Sequence, residues 1–592
     1  MPSKLKDMKN NSDFYEGTEF DSSRTICYEA YMMPESQWIE ENSVCHEYDD
    51  GNGIVVLNDG VTEIGECAFS DCFELKKINI PSSITTIGPG AFHDSLLSAV
   101  VIPDSVTEIC DGAFCRCMDL QELVIPASVT KIGEEVFAGC EALSSIVVDK
   151  SNPIYDSRDN CNAIIETATN KLIYGCKKSF IPNTVSAIAE NAFYDCCDLT
   201  SVAFPDSLRR IEEGAFYGCT GLTTILIPSS VTKIADGAFY ACSCLDSIKV
   251  DENNVVYDSR DNCNAIIETR TGRLITGCVN TEIPDSVTKI EAGAFSECDR
   301  LTSIVIPENV ESIGAYAFNA CTGLTSVNIP TTLTEIADGT FCNCESLVSI
   351  TIPDTVTRIG ISAFYSCKSL TSLAISDSLT DIDPNAFANC CRLKSIVVDD
   401  NNPCYDSREN CNALIETEND RLIIGCCNTI IPESIVEIGD AAFMGCMELK
   451  SVQISNSVKR IGENSFFYCS GLSSLVIPDS VTEIGANAFN NCTGLTSVKI
   501  SNSVKEIPEA IFWKCTSLTS IEIPTSVTKI CDNAFWGCSN LKRVVIPYSV
   551  DEMGVDVFAE CDSLAEIVVP RGMRYKFDEL LDEYLWSKIV EN

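Results

Sequence analysis

Histidine is almost missing from this chain: 592 residues contain two, His46 and His93. A Cys–His or Ser–His–Asp catalytic set needs a histidine beside a nucleophile and an orienting group. Neither histidine sits in a local signature of that kind. Runs of about 18 apolar residues, which a membrane-crossing helix requires, are absent. The N-terminus, Met1 to Asn10, lacks an apolar core of the kind a signal peptide carries. That reading places the chain in the cytoplasm. Cations are scarce as well: 41 Lys+Arg stand against 86 Asp+Glu, a net charge of −45. Such a surface repels phosphate backbones, so nucleic acid is not an expected partner. No phosphate-binding loop, dinucleotide fingerprint or paired C-x-x-C zinc spacing appears. The expectation is a protein that is not an enzyme, with no metal, no cofactor and no membrane insertion. Its oligomeric state is left open.

What the sequence has in excess is a ruler. Eighteen phenylalanines, from Phe69 to Phe558, recur with thirteen gaps of 23 residues, one of 22 and three of 56. A fixed period in this range marks a repeat solenoid. One unit reads from Phe466 to Gly485 as F-x-x-C-x-x-L-x-x-I-x-I-P-x-S-V-x-x-I-G. Leu472 to Ile477 is the expected strand, with Leu475 and Ile477 on the inward face. Pro478 ends it, since proline cannot donate to a ladder. Val481 and Ile484 form a second short apolar segment. The Ala-Phe step is expected on one turn of α- or 3₁₀-helix. No such unit buries its apolar residues alone, and stacking does it for all of them.

The unit closely resembles the BspA-like leucine-rich-repeat family over residues 54–570. The resemblance implies a leucine-rich-repeat right-handed superhelix with a continuous curved parallel β-sheet, short strands, and helical or 3₁₀ turns on the other side. It also implies a surface or secreted, adhesin-like protein that binds host or microbial proteins. The N-terminus without a signal departs from that pattern, and an intracellular protein–protein scaffold is the alternative.

Each 56-residue gap is 33 residues longer than the period. The three inserts, at about 149–181, 251–283 and 399–431, are near-copies and read as β-hairpins. Their turns are expected near Ala168-Thr169, Arg270-Thr271 and Glu418-Asn419. If Glu166 faces Lys171, symmetric pairing sets Cys161 opposite Cys176. The same register sets Cys263 opposite Cys278 and Cys411 opposite Cys426, as disulfides or as buried thiols. The Asp-Ser-Arg-Asp-Asn-Cys-Asn run is rich in oxygen but lacks the glycine and final glutamate of a calcium loop, so turn chemistry explains it.

Of 35 cysteines, 17 stand three residues after the repeat phenylalanine: Cys72, Cys117, Cys140, Cys196, Cys219, Cys242, Cys298, Cys321, Cys344, Cys367, Cys390, Cys446, Cys469, Cys492, Cys515, Cys538 and Cys561. Only Ser95 breaks the series. Buried thiols of this kind act as small hydrophobes, so the ladder is expected to be structural.

Residues 1–23 read as a disordered tail and 24–53 as an N-terminal cap. Residues 571–592, with Phe577, Leu580, Leu581, Tyr584 and Leu585 at helical spacing, read as a C-terminal capping helix. The outward strand positions offer a candidate binding face at Asn79, Lys249, Asn328, Thr351, Gln453, Lys499 and Glu522. They include no cluster of Trp, Tyr or Arg anchors.

Overall fold

The computed structural model describes residues 25–30, 36–49 and 52–592. The expected disordered tail lies outside the described residues. The chain forms two compact units, Met1–Thr281 and Glu282–Asn592. Each is a stack of coils built by the 23-residue unit, and each coil has three sides.

The coil that starts at Phe466 shows how the residues make it. Ser474–Val476 is a strand, paired in parallel with Ser497–Lys499 of the next coil. Leu475 and Ile477 point inward and are buried, as the alternation requires. After Pro478 the chain turns, and Glu483–Ile484 forms a second, two-residue strand in parallel with Arg460–Ile461. The second apolar segment is therefore a strand side of its own.

The third side carries the phenylalanine, and it differs from the expected helical turn. Among the described residues no α- or 3₁₀-helix covers an Ala-Phe step. Alternate amides reach to the next coil instead: Asn464 N–H donates to Ala486 O at 3.1 Å, Phe466 to Ala488 at 2.8 Å, and Tyr468 to Asn490 at 2.9 Å. The amides between them fold back, Phe467 N–H to Asn464 O and Cys469 N–H to Phe466 O. This weave needs left-handed backbone two residues before and two after the phenylalanine. Asn464 and Tyr468 have φ of 53° and 60°, and the coil before has Ala441 and Gly445 at 54° and 75°. A helix would send every amide four residues back and leave none for the neighbouring coil.

Phenylalanines stack along the core. Phe443 and Phe466 lie 4.8 Å apart between ring centroids, and Phe466 and Phe489 lie 5.2 Å apart, nearly parallel. In the first unit Phe193, Phe216 and Phe239 do the same at 5.0 and 5.3 Å.

The hairpins form as expected. In the first insert Ile164–Glu166 pairs antiparallel with Lys171–Tyr174, with Glu166 opposite Lys171. Tyr155–Asp156 adds a third strand, and Lys171–Tyr174 pairs in parallel with Ala187–Ile188 of the next coil. The insert thus extends the short-strand side. On the turn side the flanking coils still bond directly, Gly139 N–H to Tyr194 O at 3.2 Å. Two groups seal the junction. The Asn152 carboxamide donates to Pro126 O and Val129 O and accepts from Ile154 N–H and Tyr155 N–H, all within 2.8–2.9 Å. The Tyr155 hydroxyl accepts from Ile132 N–H at 3.2 Å. Asn254 with Tyr257, and Asn402 with Tyr405, repeat both devices.

The first coil is covered by Thr25–Ala30, antiparallel to Leu75–Asn79, and by the short helix Gln37–Asn42 with Ile39 buried beneath it. At the other end the helix is shorter than the sequence suggests. It runs over Arg574–Leu580, a 3₁₀ segment follows over Glu583–Lys588, and Ile589–Glu591 adds a parallel strand to Glu566–Val569. The strand satisfies the backbone edge of the last coil, which a continued helix would leave unpaired.

Candidate binding surfaces

The short-strand side presents charge that is paired along the stack. Arg460 reaches Glu437 at 2.7 Å, Glu483 at 3.2 Å and Asp440 at 3.2 Å. Arg358 lies between Glu335 and Asp381 in the same way. These side chains serve their neighbours.

The strand side is different. Its threonine row is also internal: Thr325 donates to Thr302 O at 3.0 Å and Thr496 to Ser473 O at 2.9 Å. The outward position at the middle of each strand faces solvent. All seven residues expected there, Asn79, Lys249, Asn328, Thr351, Gln453, Lys499 and Glu522, are exposed. Asn328 is used by the fold. It accepts from Ile306 N–H and donates to Ile306 O, at 2.8 and 2.7 Å, so its amide replaces a missing backbone partner.

The same row holds residues the sequence reading passed over. Val101, Val124 and Val147 occupy it on successive coils of the first unit, 76%, 57% and 47% exposed. Asn79 stands opposite Val101, and Val124 opposite Val147. Leu226 lies opposite Lys249 farther along that unit, and Val476 opposite Lys499 in the second. The available signal was a run of three aliphatics before the strand-ending position, Leu123-Val124-Ile125 for example, where alternation asks for a polar middle residue.

The cysteine ladder lies inside the turn side. Thirteen of its thiols donate to the carbonyl oxygen of the phenylalanine one coil back, from Cys117 on Phe92 O at 3.1 Å to Cys561 on Phe535 O at 3.2 Å. Burial pushes the Cys117 and Cys344 thiols up to about 12 and the Cys515 thiol well above the ordinary value. A thiol held protonated is a poor nucleophile and a poor metal ligand. Native alkylation is therefore expected to modify Cys67 and Cys244, the two exposed cysteines among the described residues, well before any ladder thiol. Peptide mass spectrometry after timed labelling checks this, and Cys515 reacting as fast as Cys244 would contradict it.

The hairpin cysteines are buried thiols, not disulfides. A bulge between Ile164 and Ile165 shifts the register, so Ile164 pairs with Tyr174. Cys161 and Cys176 are separate thiols, bonded to Ala163 O and Asn162 O. The same bulge recurs in the other two inserts, where Cys263 and Cys411 bond Ala265 O and Ala413 O, and Cys278 and Cys426 bond Asn264 O and Asn412 O. The symmetric register of the hairpin holds for Glu166–Lys171 and Ile165–Leu172 and is broken at Ile164, where the bulge inserts one residue.

The oxygen-rich run of each insert is also spoken for. Asp156 grips Arg158 through both carboxylate oxygens, at 2.7 and 2.6 Å, and accepts from the Thr167 hydroxyl. Asp258 with Arg260 and Asp406 with Arg408 repeat the clamp.

A family profile described as a BspA type leucine rich repeat region matches residues 45–162, 168–268, 276–408, 425–473 and 459–579. No curated protein matches the chain. Among solved structures, a leucine rich cell surface protein from Faecalibacterium prausnitzii is 26% identical, with 72% of this chain and 95% of that one covered and a TM-score of 0.43. A leucine-rich repeat protein from Bacteroides ovatus is 22% identical, covering 93% and 98%, with a TM-score of 0.27.

Proposed function

The chain belongs to the BspA-type leucine-rich-repeat family, and from that premise we propose that it is a non-enzymatic protein that binds other proteins through its outward strand face. The observation that carries this reading is the row of solvent-facing aliphatics, Val101, Val124 and Val147, set on successive coils. Contiguous apolar surface in water is a standing cost that a partner's surface relieves. The polar residues beside it, Asn79 in that stretch and Lys249 and Gln453 elsewhere, supply the orientation that apolar contact lacks. The finer proposal is an adhesin-like role at the cell surface or in secreted form, toward host or microbial proteins.

An intracellular scaffold is the second reading. Every cysteine whose side chain is described is a free thiol, a state that a reducing compartment maintains. Protease shaving of intact native cells, with mass spectrometry of the released peptides, separates the two. Repeat peptides released while cytosolic markers stay behind favour the adhesin. No repeat peptides, with the protein abundant in the lysate, reject it in favour of the scaffold.

A further inference from the structure

The coil that begins at Phe92 departs from the others in composition. The gap to the next phenylalanine is the single one of 22 residues, Ser95 replaces the ladder cysteine, and the residue after Phe92 is His93. His93 lies on the turn side between two carboxylates. Asp71 and Asp94 hold the same turn position on adjacent coils, both left-handed with φ of 55° and 53°. Asp71 N–H donates to His93 O at 2.8 Å, so the backbone weave fixes the three residues relative to one another.

We propose that Asp71, His93 and Asp94 form a binding site for a divalent transition metal of the zinc class. His93 Nδ1 and Asp94 Oδ2 are 3.0 Å apart, and one donor atom from each of the three residues lies within 4.8 Å of the others. Zinc holds imidazole nitrogen and carboxylate oxygen at about 2.0–2.2 Å, which puts two ligands of one ion roughly 3.0–3.5 Å apart. The His93–Asp94 pair meets that spacing as it stands. Asp71 is exposed and closes the remaining distance by rotating its side chain. Arg116 Nε contacts the other oxygen of Asp94 at 3.2 Å, and the Ser70 hydroxyl donates to Asp71 at 2.9 Å. The Arg116 contact orients the Asp94 carboxylate without using its metal-facing oxygen, as supporting groups at metal centres do. One nitrogen and two oxygens suit zinc better than calcium, which takes six to eight oxygens. Water completes the coordination. The ion would tie two successive coils together near the N-terminal cap. Cysteine spacing gave no hint of the site, because its ligands come from two coils and include no thiol.

The test uses the full chain stripped with a chelator and kept reduced. Zinc titration calorimetry and the visible spectrum of the cobalt form read the site. The expected result is about one tight equivalent per chain, with a cobalt spectrum free of thiolate charge transfer. His93→Ala should lose that equivalent, and Asp71→Asn should weaken it at least about tenfold. Unchanged metal-free thermal melting confirms that both variants fold. Zinc should raise the melting temperature of the parent chain and leave that of His93→Ala unmoved. Undiminished binding in His93→Ala, a thiolate-dominated cobalt spectrum, or no bound equivalent in the parent chain would overturn the proposal.

Discussion

Phe466→Ala is expected to destabilise the second unit by about 3–5 kcal/mol. The ring is fully buried and shared by two interfaces, with Phe443 at 4.8 Å on one side and Phe489 at 5.2 Å on the other. In a stack of coils, stability is the sum of intrinsic and nearest-neighbour terms, and this substitution weakens two neighbour terms at once. Each aromatic pair adds about 0.5–1.5 kcal/mol beyond buried area. The cavity cannot collapse, because both flanking coils are pinned by the backbone weave of the turn side. Denaturant titration measures the loss, and hydrogen exchange should show protection failing first between Phe443 and Phe489. Tyr468→Gly is the control. That residue is 45% exposed at a φ of 60°, so glycine relieves a strained backbone and gives up one edge contact, with the Phe467 ring at 4.8 Å. The control should move stability by less than about 1 kcal/mol. Phe466→Ala matching the control would refute the stacked-core account.

Tyr174→Ala should cost the first unit a similar amount, about 3–5 kcal/mol. The first insert parts Phe137 from Phe193, and Tyr174 occupies the gap. Its ring meets Phe137 edge-on at 5.4 Å. Its hydroxyl accepts from Val136 N–H at 3.0 Å and donates to Gly133 O at 2.8 Å. Alanine leaves both an apolar void and two backbone groups without these partners. Tyr174→Phe isolates the second effect, with an expected cost of about 1–3 kcal/mol. The third insert offers a natural comparison. Ile424 holds the matching position there, and a cavity of about 10 Å³ remains beside Phe387, Gly425 and Met444. Tyr174→Ile should therefore fold, at a cost between those of Phe and Ala. Thermal melting of the four proteins in parallel checks the order, and Phe proving as damaging as Ala would show that the ring contributes nothing.

The solenoid, its period, the cysteine ladder positions and the three hairpins were legible because each rests on repetition, which survives any single exception. The strand at Leu475 and the hairpin turn between Glu166 and Lys171 followed from period-two patterning and turn chemistry. The turn side did not. Its left-handed positions are filled by Asn464, Tyr468, Ala510 or Lys514 as readily as by Gly537, so glycine spacing hides them. The amides that fill a helix's own bonds are spent there on the next coil, a choice that only stacking dictates. The hairpin bulge escaped for a related reason: Ile164, Ile165, Leu172 and Tyr174 are all apolar, and a one-residue slip leaves no mark in such a run. At the candidate face, polar residues drew notice at positions where aliphatics such as Val124 are the greater anomaly.

The binding face can be probed directly by placing a photoreactive residue at single positions of the protein in its native cells. Val124, Leu226 and Val476 sample the strand face, while Thr107 and Thr482, exposed beside the short strands, sample the other side. Illumination should give discrete protein adducts from the three strand-face positions and none from the two controls. Adducts from the controls alone, or equal yields from all five, would contradict binding through the strand face.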